Sequence, residues 1–211
     1  MLNDRGYTPV QAQLSKKKWI SCYLGYLAEL DNDSSDMNVF GVIDNMTLLF
    51  KRGTKQLLVY FHPLDSKLCQ SDMNCIHNLK SEKKCQHLVI VANNKATPKV
   101  SSVLGILGHY AQLFSENELV LNITRHQLVP KHTCIVGEER NIVLNMYATL
   151  PDGKQHNDLL PGMFTCDAIA RYYNFKVDDL IRIERPRKDG FVDISYRIVI
   201  YPITDKDKKG N

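Results

Sequence analysis

No apolar run in this 211-residue sequence approaches the roughly 20 residues a helix needs to cross a bilayer, and its opening, MLNDRGYTPVQ, holds no apolar core of a secretory signal. Neither a membrane-spanning chain nor an exported one is expected. Six cysteines, Cys22, Cys69, Cys75, Cys85, Cys134 and Cys166, include no C-x-x-C pair, so they are read as reduced thiols of an intracellular protein, not as a disulfide framework. Charge of one sign is lacking too. Residues 1–124 carry 13 Lys and Arg against 11 Asp and Glu, and residues 125–211 carry 14 against 12, so each part holds half of the net +4. That is too little to argue nucleic-acid binding from charge alone. There is no internal repeat and no low-complexity tract. What is present is an ordinary globular composition, 44% hydrophobic, long enough for one large or two small domains.

Taken in order, Thr8-Pro9 makes a helix opening, because threonine can cap free N–H groups and proline costs nothing at the first helical position. Leu14, Trp19, Cys22, Tyr23, Tyr26, Leu27 and Leu30 follow at helical spacing until Asp31 to Asp36 break it. Short β-type runs come next at Val39 to Ile43, Thr47 to Phe50 and Leu57 to His62, with Gly53 placed to turn the last two into a hairpin. Ser71 to Lys80 is a weak helix and Leu88 to Ala92 a buried strand. Thr97-Pro98 repeats the helix opening, and Val100, Val103, Leu104, Leu107, Ala111 and Phe114 form an apolar stripe for a helix running to Phe114. Leu119, Leu121 and Ile123 then alternate as a strand. Strand, helix, strand from Leu88 to Thr124 is a βαβ pattern, which makes residues 1–124 an α/β domain.

The stretch Leu119 to His132, LVLNITRHQLVPKH, is where one unit ends and another begins, with Pro130 stopping any regular ladder. Beyond it, Glu138 to Tyr147 reads as a helix and Pro151 to Pro161 as an irregular connection. Thr165 to Tyr173 is a short helix with Asp167 in its first turn and Asn174 as its stop. Leu180 to Pro186 and the alternating Val192, Ile194, Tyr196, Ile198 and Ile200 make a hairpin through Arg187 to Gly190. Asp205 to Asn211 is a solvated tail.

Several constellations bear on chemistry. Asp44, Asp65 and Lys67 loosely match the D…D-x-K layout of metal-dependent nucleases, where two carboxylates hold Mg²⁺ and a lysine orients water. Pro63 breaks the strand that layout requires, so a solvated loop is the ordinary reading. Cys69, Cys75, His77, Cys85 and His87 lack the paired spacing of a zinc module and read as core thiols and surface histidines. His126 and His132 have no nucleophile context, which favours packing or hydrogen bonding. Lys95, Thr97, Pro98 and Lys99 stand at a helix N-terminus, where unpaired N–H groups and the lysines suit a sequence-independent contact with phosphate. Lysines beside a helix start are also commonly just exposed.

The segment Asn122-Ile123-Thr124-x-His126-x-Leu128-Val129-Pro130-Lys131-His132 resembles the signature of the small common subunit, fifth by size, shared by the eukaryotic nuclear RNA polymerases; its second half is also similar to a small subunit of the archaeal RNA polymerase. The likeness extends over nearly the whole chain. Asp4-Arg5-Gly6-Tyr7 looks like the family's DRGY, preceded by a much shortened helix. Leu57 to Phe61 and Leu88 to Val91 fall on its two hydrophobic strands, and Thr97-Pro98 on the start of its TPSA loop, with Lys99-Val100 in place of Ser-Ala. Leu160-Pro161, Asp167-x-x-Ala170-Arg171-Tyr172-Tyr173, Ile181-x-Ile183-x-Arg185-Pro186 and Ser195-Tyr196-Arg197-Ile198-Val199 resemble its LP, DPVARYFG, KIIRPS and TYRLV segments. Departures are Ala168 for proline, Asn174 and Asp178 for glycine, an enlarged loop before Leu160, and a tail after Val199.

The resemblance implies an N-terminal α/β jaw domain of nuclease-like topology over residues 1–124, a small α+β assembly domain over 125–205, and a basic tail at 206–211. It implies a non-catalytic subunit of a DNA-directed RNA polymerase, with no cofactor and no metal, docked on the largest subunit and lining the path of downstream duplex DNA. Lys95, Thr97, Pro98 and Lys99 would face DNA. His126, Leu128, Val129, Pro130, His132, Arg171, Tyr172, Arg185 and Arg197 would be interface or module-core residues. A cellular chain would act in the nucleus; the shortened N-terminus keeps open a viral one, acting in the virion or a cytoplasmic virus factory. The rival expectation is a Mg²⁺-dependent nuclease using Asp44, Asp65 and Lys67.

Overall fold

A computed structural model describes residues 1–10, 47–62, 68–93, 96–147 and 160–202. Apart from Met1, the chain divides into two compact units, Leu2–Leu121 and Asn122 onward. The helical spacing from Leu14 to Leu30, the run Val39 to Ile43, the connection from Pro151 and the tail lie outside the described residues.

In the first unit, five strands form one sheet in the order β1-β2-β3-β4-β5: β1 (Thr8–Pro9), β2 (Thr47–Arg52), β3 (Lys55–Phe61), β4 (His87–Ala92) and β5 (Ala111–Ser115). β1, β2 and β3 pair antiparallel, the last two through Gly53 at φ +58°, as the hairpin pattern predicts. β3, β4 and β5 run parallel, joined by α1 (Gln70–Glu82) and α2 (Pro98–Leu107). Leu58, Tyr60, Leu88 and Ile90 pack with Met73, Ile76 and Leu79 of α1 and Val100 of α2. Leu57, Val59, Val89 and Val91, on the other face, are buried as well. Burial on both faces is why HLVIVA reads as an unbroken apolar run instead of an alternating one. α1 starts where the Asp72 carboxylate accepts from the Cys69 amide at 2.7 Å.

Three expectations change here. Thr8-Pro9 is a two-residue strand beside β2, where the Thr8 hydroxyl donates to the Lys51 carbonyl at 3.3 Å. α2 stops at Leu107 because Gly108 takes φ +53°, so Ala111 and Phe114 belong to β5, facing opposite sides of the sheet. Leu119 to Thr124 is no strand: Ser115 and Glu118 exchange hydrogen bonds of 3.2 and 2.8 Å in a capping box that opens α3 (Glu116–Val120), and Ile123–Arg125 is a 3₁₀ turn. The βαβ unit itself stands, with β5 as its second strand.

The second unit is a four-stranded sheet in the order β6-β8-β9-β7: β6 (Lys131–Ile135), β8 (Leu180–Pro186), β9 (Val192–Ile200) and β7 (Gly162–Phe164). β6, β8 and β9 pair antiparallel, and β7 runs parallel to β9. α5 (Ala168–Tyr173) packs Ile169 and Ala170 on one face, against Ile181, Ile183 and Val199. α4 (Gly137–Met146) packs Val143 on the other, against Ile135, Leu180 and Ile198. The sequence pattern shows neither β6 nor β7. Pro130 does not stop a ladder; it precedes one, since a missing N–H is harmless before the first strand residue. A Cβ at Gly162 of β7 would press on the tip of the Ile200 side chain, which would have to shift.

Chain unfolding followed by denaturant tests the centre of this unit. Ile181 is fully buried between two helix layers, so Ile181→Ala lowers stability by about 2–5 kcal/mol.

Candidate functional site

Alternation along the second sheet sorts its side chains. Ile181 and Ile183 of β8, Val199 of β9 and Cys134 of β6 face α5. Period-two geometry therefore puts His132, Arg185, Ser195 and Arg197 on that same face. The register aligns His132 with Ile183 and Ile183 with Ser195, and Cys134 with Ile181 and Ile181 with Arg197. Residues far apart in sequence thus meet.

α5 starts later than the Thr165 expected from the sequence, because Asp167 is its N-cap, with a carboxylate that accepts from the Ile169 amide at 2.8 Å; it ends at Asn174 in the left-handed conformation, φ +58°, as the sequence predicts. Thr124, Val129, Pro130, Lys131, His132, Ile169 and Tyr173 line a hollow of about 190 Å³. The His132 ring Nδ1 lies 2.7 Å from the Pro130 carbonyl, which accepts from it. Burial pushes the His132 pKa down; the Pro130 carbonyl and Asp167 oppose this, while Arg185 and Arg197 reinforce it. The Arg185 guanidinium donates to the Ser195 hydroxyl at 3.1 Å and that of Arg197 to the Gly162 carbonyl at 3.4 Å.

Of the other residues singled out, Val129 packs against the core beneath α5 while Leu128 is 84% exposed. His126 is exposed, and its Nδ1 accepts from the Leu128 amide at 3.2 Å. Arg171 is half-buried. Tyr172, only 6% exposed, belongs to the module core and not to its surface. Sequence reasoning does not single out Thr124, Lys131, Ile169 or Tyr173 as lining residues. The i, i+4 spacing of Ile169 and Tyr173 on a short helix is the one signal that points to them. Arg182 of β8, equally silent in the sequence, ties α4 to the sheet through Glu139 at 2.5 Å and is held along its own strand by Glu184 at 3.0 Å.

In the first unit, Thr97 is half-buried and Pro98 and Lys99 are exposed at the start of α2; Lys95 lies outside the described residues. So do Asp44, Asp65 and Lys67, and nothing among the described residues favours a nuclease. Among the described residues no three His, Cys, Asp or Glu side chains gather as metal ligands. Cys85 is buried with its pKa raised by desolvation, and the Cys69 thiol donates to Asp72 at 2.9 Å.

Residues 121–199 match the family model of the RNA polymerase Rpb5 C-terminal domain. The chain is 26% identical to the DNA-directed RNA polymerases I, II, and III subunit RPABC1 of Caenorhabditis briggsae, covering 95% of this chain and 90% of that protein. It is 27% identical to the same subunit of Caenorhabditis elegans, with the same coverage. The corresponding Dictyostelium discoideum subunit is 28% identical over 70% of this chain and 73% of its own.

Because the folded pKa of His132 is depressed, its contribution to stability is complete above the ordinary histidine value of 6.5 and is lost as pH falls through the lowered folded value. Melting temperatures across that window fall more steeply for the wild-type chain than for His132→Gln.

Proposed function

We propose that this chain is an Rpb5-type shared subunit, as its likeness to that family model and to those subunits supports, and that it works as a non-catalytic subunit of a multisubunit DNA-directed RNA polymerase. The observation that carries this reading is likeness along 95% of the chain to subunits of that name. Polymerisation belongs to other subunits, and none of the residues described above is assigned chemistry.

In this reading residues 125–205 are the assembly domain, docking on the largest subunit through the face that holds His126, Leu128, Val129, Pro130, His132, Arg171, Arg185 and Arg197. The shared sheet face of His132, Arg185 and Arg197 supports it. Residues 1–124 are the jaw, of nuclease-like topology, lying beside downstream duplex DNA with the basic tail 206–211 at the far end of the chain. Lys95, Thr97, Pro98 and Lys99 meet the phosphate backbone there, where the N-terminus of α2 adds its positive dipole end. A cellular chain acts in the nucleus; one encoded by a large DNA virus acts in the virion or a cytoplasmic virus factory.

Affinity purification of the tagged chain from its native source recovers the large polymerase subunits. A partner set without them overturns the reading, as does Mg²⁺-dependent DNA cleavage abolished by Asp65→Ala. Lys95→Glu with Lys99→Glu lets the assembled polymerase release downstream DNA at lower salt, and the slope of log affinity against log salt shrinks by about 2 units. An unchanged salt dependence removes the DNA contact from the reading.

A further inference from the structure

The hollow beside β6 has apolar walls, and the sheet face it opens on carries two guanidiniums that form no ion pair among the described residues. Val129, Pro130, Ile169 and Tyr173 supply the walls, and His132 stands at the rim. Arg185 and Arg197, exposed on the same sheet face, donate to neutral acceptors, a hydroxyl and a backbone carbonyl. Among the described residues neither guanidinium forms an ion pair. Of the carboxylates on this face, Asp167 caps α5, and Asp193, the cross-strand neighbour of Arg185, forms no ion pair with it. A guanidinium presents a rigid fork of donors that matches a carboxylate in two parallel hydrogen bonds, and it is less costly to desolvate than an ammonium.

We propose that this face binds an acidic peptide segment of a partner protein, with one apolar or aromatic side chain seated in the hollow and flanking carboxylates held by Arg185 and Arg197. The inference rests on the reading of this unit as a docking module and adds the chemistry of what it docks to. Charge complementarity selects an acidic segment, and the apolar walls select a protein. A duplex backbone would engage the guanidiniums but would leave the walls facing water. A buried apolar anchor ringed by charge-assisted hydrogen bonds is the arrangement that concentrates binding energy in a small contact.

Panning a random peptide library on phage against the immobilised full chain tests this without presuming the ligand. The expected result is enrichment of sequences with Asp or Glu flanking a large apolar residue. A synthetic peptide of that consensus should bind Arg185→Ala with Arg197→Ala about tenfold or more weakly, with part of the affinity retained by the Arg→Lys pair. Both arginines are exposed, so the variants keep the wild-type melting temperature. Enrichment of basic or neutral sequences, no enrichment, or equal binding by the alanine pair overturns the proposal. So does displacement of the peptide by random-sequence duplex DNA that binds wild type and not the alanine pair. If these results fail while purification still recovers polymerase subunits, the acidic-segment chemistry falls and the subunit reading stands; if the purification fails, the reading falls with it.

Discussion

The register of β8 on β9 decides what the C-terminal unit is. Leu180 pairs with Ile198, Ile181 with Arg197 and Ile183 with Ser195, so each rung sends one side chain toward α5 and the next toward α4. Leu180, Ile181, Ile183, Ile198 and Val199 are all within 2% of complete burial. Each contributes roughly 1.5–3 kcal/mol by leaving water. A slip of one residue in β8 or β9 would turn that strand's α5-facing side chains toward α4 and its α4-facing ones toward α5, breaking both packed clusters. The same ladder that packs the core therefore holds Arg185 and Arg197 at the surface beside His132. Binding geometry and folding stability are set by one constraint.

Packing and positioning are joined in the first unit too, where the Asp4-Arg5-Gly6-Tyr7 turn lies against the hairpin. The Arg52 guanidinium donates to the Arg5 carbonyl at 2.8 Å and lies 5.1 Å from the Tyr7 ring centroid. Arg5 is itself buried and sits 6.0 Å from the ring of Phe114 on β5. Gly6 has φ +79°, and a Cβ there would press on the Arg52 side chain at 3.3 Å. A motif that marks a family resemblance is thus explained locally by packing: it ties the first residues to β2 and β5.

Where local patterns misled, tertiary context supplied the missing term. Ala111 and Phe114 continue the spacing of a helical stripe, yet Gly108 turns the chain and the parallel edge of β4 captures them as a strand. Leu119, Leu121 and Ile123 alternate like a strand, but no neighbouring strand among the described residues accepts them, and the capping box of Ser115 and Glu118 favours a helical turn. Leu121 is 74% exposed, so its apolar character was never evidence of a core position. β7 has only three residues, too few for any period to register, and exists because β9 offers it an edge.

What the sequence determined by itself were the elements whose signal is local: the Gly53 hairpin, the uninterrupted apolar β4, the Asn174 stop of α5, and the β8–β9 pair. Its motifs also carried the family resemblance. Only the tertiary structure decided that β6 follows Pro130, that Tyr172 faces inward, that His132, Ile169 and Tyr173 line one hollow, and that Arg185 and Arg197 share a sheet face with His132. Periodicity reports which side of its own element a residue occupies, whereas the placing of His132, Arg185 and Arg197 on one sheet face depends on which strands pair and in what register. That is settled by burial summed over the whole sheet, and no window of sequence contains it.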